Sequence, residues 1–296
     1  GFSILSRQMP EQILPDGGQF ELSPMYHALA VEDILDLIAI TRRYNSGLTA
    51  TQTLAVQEWS VILRKMLTWL NVLTHPDGRL SFFNDTAFSI APETAELLDY
   101  AGRLGLSAKT LIESPYHALP DSGYHRINWR SAVIIADLAS VGPSYLPAHA
   151  HADTLSFELS LGSQRVVVNG GTSVYGASRE RHRQRSTPAH STLCLDNENS
   201  SEVWGGFRVG RRAKVHKSWL ADLVGGSTEM GSMILDGCAI YAPTAAVRPV
   251  PGHVASSTIG CNTMTDGQWK VGSPISWQKG LLTLYFVMIG MAVPPT

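Results

Sequence analysis

The sequence holds 296 residues, 44% of them apolar and 16% charged, with 23 Lys+Arg against 25 Asp+Glu for a formal net charge of -2. That apolar fraction and the ordinary glycine and proline levels exclude a disordered chain, a coiled coil and a collagen-like repeat. The near-neutral balance gives no support to a nucleic-acid binder, and Cys194, Cys238 and Cys261 are too widely spaced for a disulfide framework or a thiolate zinc site.

In chain order the first half reads as helices. After the turn LPDGG, His27–Tyr44 repeats Ala, Val, Ile and Leu at helical spacing, with Arg42 and Arg43 near its C-terminal end. A second helix is expected over Thr51–Leu73, ended by HPDGR at 75–79, and a third over Pro92–Leu104, where Pro92, Glu93 and Glu96 make a sound start. Short loops between amphipathic helices imply an antiparallel helical array. Near residue 125 the character changes. His125–Leu138 fits strands, and Thr154–Leu161 alternates strictly, with Leu155, Phe157, Leu159 and Leu161 expected on one buried face. Gly162-Ser163 is a turn into the β-prone run Gln164–Val168, and further strands are expected over Thr192–Leu195 and Phe207–Val215. From about Gly225 the pattern decays into Gly, Pro, Ser and Thr. The apolar run Leu281–Val293 is too short to span a bilayer as a helix, so no membrane insertion is expected.

Four segments carry chemistry. In PAHAHADTLSFE, His149, His151 and Asp153 alternate along an extended stretch and so face one way. Such donors suit a metal site, a proton-transfer site or a hydrogen-bonded structural cap, and the spacing alone leaves all three open. In VNGGTSVYG, Asn169 ends a β-run, two glycines let the backbone turn, and Tyr175 follows. In RHRQRSTPAHST, Arg181, Arg183 and Arg185 form either a solvated charge run or a cationic lip for an anionic substrate, and His190 adds another imidazole. In LPDGGQFELSPMYH, Glu21, Tyr26 and His27 sit where a loop becomes a helix, while Asn84 and Asp85 in FFNDTAF read as a turn. There is no GxSxG, P-loop or Rossmann fingerprint.

Together these blocks resemble the heparinase II/III-like family of polysaccharide lyases. The resemblance rests on residues 14–27, on DGRLSFFNDTAF at 77–88, and on YLPAHAHADTLSFELSLGSQRVVVNGGTSVYG at 145–176. It continues through residues 183–215. It implies an α/α toroid followed by antiparallel β-sandwich sheets, with 1–120 the C-terminal part of the toroid and 121–225 the sandwich region. Residues 226–296 would then be a degraded or frameshifted tail. It also implies β-elimination on a uronate-containing polysaccharide such as a glycosaminoglycan, an anionic substrate, and a place in the periplasm or cell envelope.

Carried over residue by residue, Tyr26 is similar to the toroid tyrosine that acts as general acid and for some substrates as base. His149 is similar to the histidine facing the substrate, and Tyr175 to a second cleft tyrosine that positions it. Glu21, Arg181, Arg183 and Arg185 are expected to bind substrate. His151 and His190 resemble metal ligands, whereas Asn169 stands where characterised members carry an aspartate. No cofactor is required on this reading, and a structural zinc or other divalent ion is expected to bind weakly unless Asp153 compensates. The family's Asn-His pair, normally upstream of the toroid tyrosine, would precede Gly1, so the chain is expected to be the C-terminal part of a longer lyase. The alternatives are a non-catalytic carbohydrate-binding or truncated remnant of such a lyase, and a metal-dependent hydrolase built on HxHxD.

Overall fold

A computed structural model describes residues 1–106, 114–192, 194 and 198–215, together with short strand segments at 233–235, 240–241, 262–265, 268–271, 277–278, 281–282 and 284–286. Gly1–Ala213 form one compact unit and Lys214–Thr296 a second. The first unit opens with helices α1 (Phe2–Gln12), α2 (Pro24–Arg43), α3 (Ala50–Val72) and α4 (Thr94–Arg103). Sequence reading starts α2 at His27, but the helix begins three residues earlier. Ser23 caps it by accepting from the Tyr26 backbone N–H, and Pro24 occupies its first turn, where a missing N–H costs nothing. Helix α3 opens on a reciprocal cap between Thr49 and Gln52. Val31, Leu35 and Ile38 of α2, Trp59, Leu63, Met66 and Leu70 of α3, and Leu97 of α4 close one apolar core.

Five strands follow: β1 (Tyr116–Leu119), β2 (Tyr124–Trp129), β3 (Ala132–Asp137), β4 (Phe157–Leu161) and β5 (Gln164–Val167). They make an antiparallel sheet in sequence order. A second core, with Trp69 and Leu73 from the end of α3, Phe83, and Tyr124, Val133 and Ile135 from the sheet, joins helices to strands. Polar clamps fix that junction. Trp69 Nε1–H donates to Ser122 Oγ at 2.8 Å, and Asp16 of the LPDGG turn accepts from the backbone N–H groups of Asp121 and Ser122.

The face of β4 turned inward is the reverse of the expected one. Ser156, Glu158 and Ser160 are fully buried, whereas Phe157 and Leu159 are half-buried and Leu161 is exposed. His75, at the end of α3, reaches across to this polar row. One ring nitrogen lies 2.7 Å from Ser160 Oγ and the other 2.8 Å from Glu158 Oε2. The other Glu158 oxygen accepts from the backbone N–H groups of Phe82 and Asn169. Strict alternation fixes the period of a strand, but not which face is covered when the covered face is hydrogen-bonded.

The arginine segment 179–185 is helix α5 (Arg179–Arg185), capped by Ser178. It is followed by the short strands β6 (Val203–Trp204), β7 (Arg208–Val209) and β8 (Lys214–Val215). The expected strand Thr192–Leu195 lies partly outside the described residues. In the second unit, to which β8 belongs, β8 and the described strands β9 (Met233–Leu235), β10 (Ile240–Tyr241), β11 (Asn262–Thr265), β12 (Gln268–Val271), β13 (Trp277–Gln278), β14 (Leu281–Leu282) and β15 (Leu284–Phe286) pair only as two-stranded ladders. The expected decay after residue 225 falls mostly outside the described residues. No described helix is long and apolar enough to cross a membrane.

Candidate active site

The first turn of α2, the 82–86 loop, the segment before β4 and the 203–209 hairpin converge on one place. Tyr26 projects from α2, and its hydroxyl lies 3.0 Å from that of Tyr175. The Tyr26 ring lies against His149, tilted by 32° with centroids 4.0 Å apart. Glu21 Oε2 approaches His149 Nε2 at 3.6 Å. Phe207 completes the wall, stacked on Tyr175 at 5.8 Å and edge-on to His149. Burial first, then the hydrogen bond with Tyr26, pushes the Tyr175 phenol well up, so this hydroxyl keeps its proton.

Asp85, in a segment whose sequence reads as a turn, is the hub. It is fully buried. Oδ1 accepts from His151 Nε2 at 2.8 Å, Oδ2 accepts from His149 Nδ1 at 2.9 Å, and the Arg181 guanidinium forks onto both oxygens. Burial alone would raise this carboxyl. The hydrogen bonds from His149, His151 and Arg181 outweigh it and hold the group well below the usual carboxylate range. Asn84 sets the turn with φ of 54°, a left-handed conformation that asparagine tolerates, and its side chain accepts from the His151 backbone N–H. Gly171 is required beside this loop, because a Cβ there would stand 2.1 Å from the Thr86 carbonyl oxygen. The only sequence sign of this hub is a polar Asn-Asp pair set between aromatic residues.

The arginines do not form a cationic lip. Helical spacing turns Arg181 and Arg185 to one inward face of α5 and Arg183 outward. Arg181 lies buried beneath the Tyr175 and Phe207 rings, 5.2 and 5.5 Å from their centroids, and is neutralised by Asp85. Buried Arg185 donates to the carbonyls of Ala150 and Arg208, and exposed Arg183 pairs with Glu180.

Behind His149 lies a second cluster. Ligand atoms of buried His151, Asp153 and His190 all lie within 4.8 Å of one another. His151 Nδ1, Asp153 Oδ2 and both ring nitrogens of His190 are buried without a hydrogen-bond partner. One ligand atom from each of these three residues, gathered around one point, fits a divalent cation bound by nitrogen and oxygen donors. Burial holds His190 down to about 4, in the neutral form a ligand needs. Burial first, then the Asp153 charge, pushes the nearby Asp137 carboxyl well up, towards its neutral form. Asn169 does not supply the missing donor. Its Oδ1 accepts from both the N–H and the hydroxyl of Ser191, and its Nδ2 donates to Ser156. Asp153 provides the carboxylate instead.

The family comparisons agree with this architecture. The description "Heparinase II/III N-terminus" matches residues 1–98, and "Heparinase II/III-like, C-terminal" matches residues 112–243. The chain belongs to the heparinase II/III-like family, whose fold joins an α/α toroid to antiparallel β-sandwich sheets. It is 26% identical over 221 residues to a heparin-sulfate lyase of Pedobacter heparinus, covering 67% of this chain and 32% of that protein. It is likewise 26% identical over 219 residues to FtsZ-localized protein C of Caulobacter vibrioides, covering 73% of this chain and 34% of that one. The crystal structure of a heparan sulfate lyase from Pedobacter heparinus superposes with a TM-score of 0.54 at 24% identity, over 73% of this chain and 34% of that one. The chain thus spans about a third of the length of the curated relatives it matches.

Proposed function

We propose that this chain carries the acid–base face of a polysaccharide lyase that cleaves a uronate-containing, anionic polysaccharide by β-elimination. The observation that supports it is the Tyr26–Tyr175–His149 cluster with Asp85 behind it. Asp85 accepts the Nδ1–H of His149, which leaves Nε2 with the lone pair in the neutral ring. His149 Nε2 takes the proton from the carbon α to the uronate carboxylate, and that C–H electron pair becomes the new C=C bond. The C4–O bond breaks, and the departing oxygen takes the Tyr26 hydroxyl proton. Tyr175, which keeps its own proton, donates to the Tyr26 oxygen as negative charge develops there. Glu21 and Asp85 hold the imidazolium that forms on His149. His151, Asp153 and His190 would hold a divalent ion, which when bound supplies a fixed positive charge that stiffens the segment carrying His149. A periplasmic or cell-envelope location belongs to the same proposal.

A panel of uronate polymers incubated with the protein tests it. The product of β-elimination is a conjugated enoate, so ultraviolet absorbance rises with at least one polymer, and Tyr26→Phe lowers that rate by about 10²–10⁴-fold. A second reading, a carbohydrate-binding role without turnover, is kept because one of the relatives carries a name, FtsZ-localized protein C, that prints a localisation and no lyase activity. No absorbance change with any uronate polymer would select that reading.

A further inference from the structure

We infer that Asp85 joins the ion cage to the acid–base cluster, so that a divalent cation held by His151, Asp153 and His190 fixes the ring of His149. The chain of contacts is continuous. His151 turns Nδ1, buried and without a hydrogen-bond partner, to the cage, while its Nε2–H donates to Asp85 Oδ1 at 2.8 Å. The other Asp85 oxygen accepts the Nδ1–H of His149 at 2.9 Å. A ligating imidazole whose second N–H bonds a carboxylate is both oriented and made a stronger donor. Here that same carboxylate orients a second imidazole outside the cage.

The carboxylate has no freedom to absorb a movement of either ring. The Arg181 fork holds both of its oxygens, and Arg181 is itself held by Thr172 Oγ1 and the Gly206 carbonyl. The backbone repeats the link. Asp85 N–H donates to the His149 carbonyl, and Asn84 accepts the His151 N–H, so residues 84–85 grip both histidines. His149 and His151 are separated by one residue, which brings them within reach of the two oxygens of one carboxylate. The inference rests on this geometry and holds whether or not the lyase reading does.

Zinc added to chelator-treated protein labelled with ¹⁵N-histidine tests it, with the ring nitrogens followed in long-range ¹H–¹⁵N spectra. His149 is expected as the Nδ1–H tautomer, and its ring signals move in the same zinc-dependent step as those of His151 and His190. In Asp85→Asn, zinc affinity falls about 10- to 100-fold and zinc no longer moves His149. That variant leaves the buried Arg181 without its counter-charge, so the wild-type titration decides the matter if its circular-dichroism spectrum is lost. Failure to take up zinc, an Nε2–H tautomer at His149, or zinc that moves His151 and His190 but leaves His149 unchanged would each overturn the inference.

Discussion

Tyr175→Phe separates a residue that assists Tyr26 from one that acts alone. The substitution keeps the ring that stacks on Phe207 and lies over Arg181, and deletes only the hydroxyl 3.0 Å from Tyr26. On the proposed mechanism that hydroxyl donates to an oxygen that becomes charged. A hydrogen bond to a charged group contributes about 1.5–3 kcal/mol, which at 1.36 kcal/mol per decade is about 10- to 150-fold in rate. Tyr175 is 46% exposed, so water competes for the same oxygen and the lower end applies, about 10- to 30-fold. The assay is the initial rate of enoate absorbance on the best uronate polymer, measured for Tyr175→Phe, Tyr26→Phe and the double variant. Because Tyr175 acts through Tyr26, the double variant is expected to be no slower than Tyr26→Phe. Losses that multiply in the double variant, or a Tyr175→Phe loss equal to that of Tyr26→Phe, would show that Tyr175 transfers a proton itself.

Three further outcomes follow from buried polar groups. Glu158→Ala leaves His75 and the N–H groups of Phe82 and Asn169 without an acceptor, and should cost about 3–5 kcal/mol in urea unfolding; a loss under about 1 kcal/mol refutes the role given to this carboxylate. Burial holds His27 down to about 4 from an ordinary 6.5, in a ring that accepts from Gln19 N–H and donates to the Met66 carbonyl. The unfolded chain therefore takes up a proton that the fold refuses. Stability falls by about 3 kcal/mol as pH drops from about 6.5 to about 4 and is unaffected above that window, and His27→Gln should flatten the stretch in pH-dependent unfolding. Zinc at about 100 times its Kd should raise stability by about 2.7 kcal/mol, and Asp153→Asn should cut that gain below about 1 kcal/mol at the same concentration; an undiminished gain would place the carboxylate outside the cage.

The elements were legible where a single physical period dominates. Helix α3 combines an apolar stripe with the HPDGR stop, and its expected and observed ends differ by a residue at each end. Helix α5 was not legible, because alternating arginines over a few residues carry no apolar stripe, and its core-facing side chains are the charged Arg181 and Arg185. The inward face of β4 is hidden for the same reason: Glu158 and Ser160 are buried because His75, far away in sequence, supplies their partners. Tyr26, His149, Tyr175 and Glu21 are legible in their motifs and lie together. Asp85 reads in the sequence only as part of a turn, since its importance comes from three partners on two other segments. Propensity and periodicity are local, and a buried charge is satisfied by tertiary contacts.

The same burial changes how an anionic polymer would be held near this site. Arg181 is neutralised by Asp85 and Arg183 by Glu180, while Arg185 spends its donors on backbone carbonyls. None of the three therefore adds a free positive charge at the surface beside Tyr26. Their energy goes into holding the loops that carry His149, Tyr175 and Phe207. The described surface of the site is instead aromatic, with one carboxylate, Glu21, beside His149. Such a surface recognises a sugar ring through stacking and directed hydrogen bonds, which weaken little with salt, whereas attraction by a cationic lip is screened within about 10 Å at 0.1 M. Mutating Arg183, the exposed member, should accordingly leave the salt dependence of KM unchanged. A steeper or shallower salt slope in Arg183→Ala would restore it as a charge that meets the polymer.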